Sequence, residues 1–401
     1  MTRTLYGYAF LDDFVLLYPV YALLFGDTGL SLGQISSLFA LWSVSGVLLE
    51  VPSGAWADAV SRRLLLGLGP LLTAVGFALW VLTPSYWAFA LGFVLWGAGG
   101  ALGSGALEAL VYEELDRLGA ADSYARVTGR ARAAGLVAVM AAMGLAGPVL
   151  AVGGYPLVGA ASVLTCLLTA AVATRFPEHR RKTSEGDGWS TTLHAARRPG
   201  RPVTAALLLV AAVGSVWGAL DEYTPLLVRD TGVPDWAGPC LLLLIWAGAT
   251  AGSLLAGPAE RLGTAGFAGL LAGSALALAV GALARSPAGL VLVAVAFGGF
   301  QLANVLADAR LQRRIEDGAR ATVTSIAGLG TELATVAVFG AYAAIGSATG
   351  HSTAFAVFAV PYLVTAALVA TARRGRARSW SGGRQGTTAK SPAPRATFWR
   401  R

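Results

Sequence analysis

Eight carboxylates stand inside otherwise apolar runs of this 401-residue chain: Asp12, Asp13, Glu50, Glu108, Asp221, Glu222, Asp308 and Glu332. A charge at the centre of an apolar helix costs about 2.5 to 3.5 kcal/mol even on the gentler scales, so such an acid takes up a proton, pairs, or lines water. That is the chemistry of reversible proton or cation binding. The bases that share those runs, Arg130, Arg132, Arg175 and Arg310, all sit near a run's end, where a long side chain reaches polar surroundings. The deep positions are therefore acidic and poor in bases.

Position along each run assigns roles. Glu332 lies eleven residues into its run, roughly 17 Å deep at about 1.5 Å per residue, which makes it the leading proton or cation site of the second half. Asp12 and Asp13 lie seven or eight residues into the first run and, as neighbours on a helix, project about 100° apart, so one of the two is expected to face a cavity and carry coupling. Glu50 and Glu108 stand near run ends, where pairing with Arg130 or Arg132 and contact with substrate are both open readings. Asp221, Glu222 and Asp308, also toward run ends, are expected to face water.

Other polar and aromatic side chains fall in the same runs. Trp217 and Trp246, with Trp42 and Trp96, could form an aromatic wall for a flat lipophilic cation through cation-π contact, or face lipid instead. Gln301 and Asn304, about one turn apart, could supply cavity hydrogen bonds or join helices. Enzyme chemistry is not indicated. There is no HExxH or GxxxxGK[ST] sequence, and His179, His194 and His351 lie outside the runs or at a run's end. Cys166 and Cys240 have no partner spacing for a disulfide or a metal. Neither a cofactor nor a metal is expected.

The elements that must hold these residues follow from composition. Hydrophobic residues make up 55% and charged residues 13% of the chain, and 51 glycines suit closely packed transmembrane helices rather than a soluble globule. Twelve apolar runs are long enough to span a bilayer: 5–25, 33–54, 64–82, 87–111, 129–151, 156–175, 203–228, 236–257, 265–284, 288–311, 321–346 and 351–372. With both termini in the cytoplasm, 28 of the 30 Lys and Arg fall inside, and only Arg229 and Arg285 outside. The basic balance thus reads as membrane orientation, not nucleic-acid binding, and the tail 373–401, with nine bases and no acid, as a lipid-surface anchor. The polar stretch 176–202 separates two halves of six runs each, so an all-α integral membrane fold is expected: six-helix bundles over 1–175 and 203–372, with a cytoplasmic linker between them.

The segment LLEVPSGAWADAVSRR, Leu48 to Arg63, resembles motif A of the major facilitator superfamily at Gly54, Asp58, Arg62 and Arg63, with Ser61 where the family usually has glycine. The resemblance implies a cytoplasmic gate at these residues. Gly135, Gly144, Gly147, Pro148, Gly153 and Gly154 in the fifth run resemble motif C, a signature of the family's antiporting exporters, although the spacing departs from the pattern around Gly147 and after Pro148. A bent, close-packing helix there would serve as a hinge or a sealing face.

Together these features imply a monomeric, plasma-membrane transporter of the proton-coupled drug-efflux type, with protons, a small molecule and lipid as its partners. It would export hydrophobic, cationic or neutral small molecules by alternating access. Import of a nutrient is the alternative within the class, and a non-transporting sensor or scaffold the alternative outside it.

Overall fold

Hydrocarbon offers no water to satisfy a peptide group, so an apolar run that enters it must satisfy its own N–H and C=O groups, as a helix does. The computed structural model describes residues 1–177, 201–315 and 320–382, apart from the side chains of 50–59, 104–105, 121, 125, 201–202, 320–322 and 372–382. The expected linker lies outside the described residues from 178 to 200, and the expected basic tail from 383 onward; so do the side chains of Glu50, Gly54 and Asp58.

The α-helices are α1 (Thr2–Asp13), α2 (Tyr21–Asp27), α3 (Leu32–Ala59), α4 (Arg62–Leu82), α5 (Tyr86–Arg117), α6 (Tyr124–Ala173), α7 (Arg201–Arg229) and α8 (Gly238–Leu254). They continue with α9 (Ala256–Ala259), α10 (Thr264–Leu283), α11 (Gly289–Gln312), α12 (Arg320–Thr349), α13 (His351–Val357) and α14 (Ala359–Gly382). Among the described residues no strand occurs, and nine helical stretches are long and apolar enough to cross a membrane. One of them, within α6, is 48 residues long, enough for two crossings, and α6 turns at Gly154, whose φ of 61° and ψ of −163° leave helical space. Taken with the shorter apolar α8 and the interrupted α1/α2 pair, this arrangement is consistent with twelve crossings.

Three runs differ from the continuous spans expected of them. The first breaks between α1 and α2, over residues 14–20, where Pro19 has no N–H to give. The freed Leu17 N–H instead donates to Ser162 Oγ at 3.1 Å, so a buried serine of α6 supplies what the helix no longer does. The eighth run is interrupted at Leu255, between α8 and α9. The twelfth is interrupted at Phe358, and the helix that restarts as α14 carries Pro361 in its first turn, where a missing N–H costs nothing.

Packing rests on glycine. α4 lies along α5 so closely that a Cβ on Gly69 would stand 2.7 Å from the Gly99 carbonyl oxygen. α8 and α11 meet in the same way: a Cβ on Gly298 would stand 2.6 Å from the Gly248 carbonyl, and one on Gly252 would strike the Gly298 carbonyl itself. Such contacts bring backbones together where lipid supplies no hydrophobic drive for helix association. Beside them a cluster of rings, Phe25, Phe39, Phe77, Trp80, Phe89 and Phe93, is wholly buried, with Trp80 Nε1 donating to the Phe89 carbonyl at 3.2 Å. Large apolar side chains such as Leu48, Leu82, Trp87 and Val152 point outward.

A Gly252→Ala substitution is expected to destabilise the protein by about 1 to 3 kcal/mol, because its Cβ meets backbone that cannot step aside. Gly269→Ala on α10, with nothing within 4 Å of the added carbon, is expected to be neutral. Thermal unfolding in detergent distinguishes the two.

Candidate functional site

Three chambers meet at the indole of Trp96 on α5. The first, of about 350 Å³, lies between the α1/α2 break, α3, α6, α7 and α8, and is lined by Asp13, Tyr18, Tyr21, Trp42, Asp221, Glu222 and Trp246 among others. The second, of about 240 Å³, opens between α1, α4, α5 and α6 and holds Asp12 with Tyr8, Thr73 and Cys166. The third, of about 340 Å³, lies between α3, α5 and α12 and holds Glu332 with Trp42 and Ser43. Among the described residues five acids line this space, and no Lys, Arg or His does.

The walls are built from stacked rings. Trp96 lies between Tyr18, at 5.2 Å and 16°, and Trp42, at 4.9 Å and 24°, so three aromatic faces run parallel from the first helix break to α3. The loss of helix at 14–20 is what turns Tyr18 toward this stack. The adjacent acids at the end of α1 diverge as neighbours on a helix do: Asp12 opens into the second chamber and Asp13 into the first. Gly135 makes room for Asp13, since a Cβ there would collide with Asp13 Oδ2. The first glycine of the motif C-like series thus makes room for a carboxylate, while Gly144 lies near Leu243 of α8 and Gly147 packs against the Trp236 carbonyl just before α8.

One end of the bundle is closed, the end that charge distribution assigns to the outside. Arg229, at the end of α7, donates through Nη1 to Asp27 Oδ1 at 2.8 Å and through Nη2 to Asp27 Oδ2 at 3.0 Å. Its Nε and Nη2 also bond the two oxygens of Asp235, each at 2.9 Å. Tyr155, just past the Gly154 turn, donates to Asp27 at 2.6 Å. Deeper along the same seam Tyr21 donates to Glu222, and Ser36 shares a 2.6 Å hydrogen bond with Tyr223. Tyr223 in turn stacks on Tyr342 at 3.7 Å. At the opposite end Arg62, a motif A position, pairs with Glu113 of α5, while Arg63 is exposed.

The structure therefore brings together Asp12, Asp13, Glu332 and Trp246 of the expected cavity residues, and leaves others outside it. Trp217 turns its ring toward Phe297, Gln301 Nε2 donates to Ser253 Oγ at 3.0 Å, and Asn304 packs against Gly214. These three join α7, α8 and α11 and line none of the chambers, because their helix faces point at each other. Glu108 is exposed near the end of α5, and Pro148 is exposed on α6. Asp221 and Glu222, expected to face water near a span end, instead line the main chamber near the C-terminal end of α7. A signal for them was present. Leu220-Asp221-Glu222-Tyr223 repeats the pattern Leu11-Asp12-Asp13-Phe14, and each is followed within a few residues by a proline.

Comparison with known proteins follows this geometry. The Major Facilitator Superfamily model matches residues 5–300. No curated protein matches the chain. Among solved structures, the nucleoside transporter NupG superposes with a TM-score of 0.76 at 14% identity, covering 92% of this chain and 98% of that one. A bacterial homolog of the human lysosomal transporter Spinster, inward-facing and occupied, gives 0.71 at 17% identity, with 93% and 96% covered. A D-xylose-proton symporter gives 0.66 at 16%, with 92% and 95% covered.

Asp27 supplies a pH test of the closed end. Burial alone would raise its pKa, but the hydrogen bonds from Arg229 and Tyr155 and the Arg229 charge outweigh that and hold it below its ordinary 3.8. A carboxyl lowered on folding contributes while ionised, fully above 3.8, and loses its contribution as pH falls through the lowered value. The distance between spin labels at Ser37 and Asp230 is therefore expected to stay constant from neutral pH to about 5. It should lengthen only in acid below 3.8, whereas Asp27→Asn should lengthen it at neutral pH.

Proposed function

This chain belongs to the major facilitator superfamily, and on that premise we propose that it is a proton-coupled antiporter that exports hydrophobic, cationic or neutral small molecules. The family and its structural neighbours are transporters, not enzymes. The observation that carries the finer reading is the lining of the chambers: five carboxylates, parallel aromatic faces and no base. Such a space repels anions and receives an apolar cation by charge and by ring face together. A neutral hydrophobic solute would be held by the rings alone.

Antiport follows from competition. A carboxylate buried in the bundle can be neutralised by a proton or by a bound cation, but holding both gains little, so arrival of one favours departure of the other. Asp12, Asp13 and Glu332 are assigned this exchange, each in its own chamber and each joined to the others across Trp96. Two six-helix bundles, 1–175 and 203–372, rock about this central space, near the midplane of the plasma membrane, with both chain ends in the cytoplasm. The seam of Asp27, Arg229 and Asp235 is then the outer gate. The motif A residues Gly54, Asp58, Arg62 and Arg63 belong to the inner gate, and the face of Gly144 and Gly147 on α6, with Pro148 exposed beside it, seals the space from outside. The protein works as a monomer.

The test is proton flux in everted membrane vesicles carrying this protein under an imposed pH gradient. Lipophilic cations are expected to collapse the gradient, and anions to leave it intact. Glu332→Gln and the paired Asp12→Asn, Asp13→Asn substitutions should each cut the response by about tenfold or more. Uptake of a solute with no proton movement, or an unchanged response in both variants, would sink the coupling assignment.

A further inference from the structure

Glu222 is the one acid of the main chamber that is already tied to the other side of it. The Tyr21 hydroxyl donates to Glu222 Oε2, from α2 to α7. On the same two helices Asp27 meets Arg229, six and seven residues further along, roughly two helical turns at about 1.5 Å per residue. The seam between α2 and α7 is thus fastened at two levels, one facing the cavity and one at the closed end.

The two partners of the inner fastening differ in freedom. Tyr21 is only 6% exposed, and its ring is held edge-on against Phe39, Phe93 and Trp96 and tilted against Phe25 and Trp80. Its hydroxyl cannot follow a partner that leaves. Glu222 has three side-chain torsions and borders the 350 Å³ chamber, which Asp221 also lines. A cation entering beside Trp246 and Trp96 meets Glu222 on the cavity side of that bond.

Resting on the export reading above, we propose that Glu222 is the residue that reads the substrate's positive charge and is at the same time the inner latch of the outer gate. A lipophilic cation that draws the Glu222 carboxylate to itself takes it from Tyr21, and α2 is released from α7 at that level. Binding of cargo then loosens the barrier that cargo must cross, while an empty cavity keeps the latch made. No covalent step is involved; a hydrogen bond is exchanged for an ion pair.

The experiment uses the full chain in lipid nanodiscs, with Cys166 and Cys240 replaced by Ala, spin labels at Ser37 and Asp230 across the seam, and tetraphenylphosphonium as the probe. In this background the probe is expected to bind and to lengthen the label distance. Glu222→Gln, which keeps an oxygen for Tyr21 but no charge, should weaken binding by about tenfold or more and abolish the lengthening. Tyr21→Phe, which keeps the ring and leaves the Glu222 charge in place, should show the longer distance before any probe is added. If Glu222→Gln binds and lengthens like the unsubstituted protein, or if Tyr21→Phe stays short until the probe arrives, the proposal is overturned while export of cations by this cavity stands. If the unsubstituted protein binds no lipophilic cation at all, both fall together.

Discussion

Everything in this structure is arranged around the expense of holding a carboxylate in hydrocarbon. Isolated in a lipid-facing helix, each such acid would cost a few kcal/mol. The chain instead gathers five of them around one indole, where helices, ring faces and an open space take the place of lipid. Among the described residues these acids meet no base within the three chambers. The glycine contacts between α4 and α5 serve the same end, since they bring Trp96 and the chamber walls within reach of Asp12.

Asp12 and Asp13 are the last two residues of α1 and open into different chambers by their helical bearing alone. The chain then leaves the helix at residues 14–20, and within that segment Tyr18 stacks on Trp96. Broken backbone at membrane depth is tolerated only where protein satisfies it. Ser162 of α6 does so for Leu17, and Gly135 of the same helix clears a place for Asp13. α6 is therefore the scaffold of the site as well as a wall of it.

Closure at one end follows a different physical rule. Arg229 lies outside the chambers and is matched by two carboxylates, Asp27 and Asp235, and by the hydroxyl of Tyr155 on one of them. A forked guanidinium suits this double pairing, and its planar geometry fixes α2, the α6 turn and the end of α7 relative to one another.

The sequence by itself determined the helical class, runs consistent with twelve crossings, the family, and the fact that acids rather than bases occupy the deep positions. Each of these depends on local composition or on spacing along one chain segment, and a bilayer enforces them run by run. Depth was legible for Glu332 in the same way. What only the tertiary structure decided was company. Spacing along a helix fixes a side chain's depth and its bearing about its own axis, yet says nothing of which helix stands opposite. For that reason Trp217, Gln301 and Asn304, polar or aromatic at suitable depths, turned out to join α7, α8 and α11. Asp221 and Glu222, placed near a span end by counting, line the main chamber, and Tyr21 of α2 stands across the seam from Glu222.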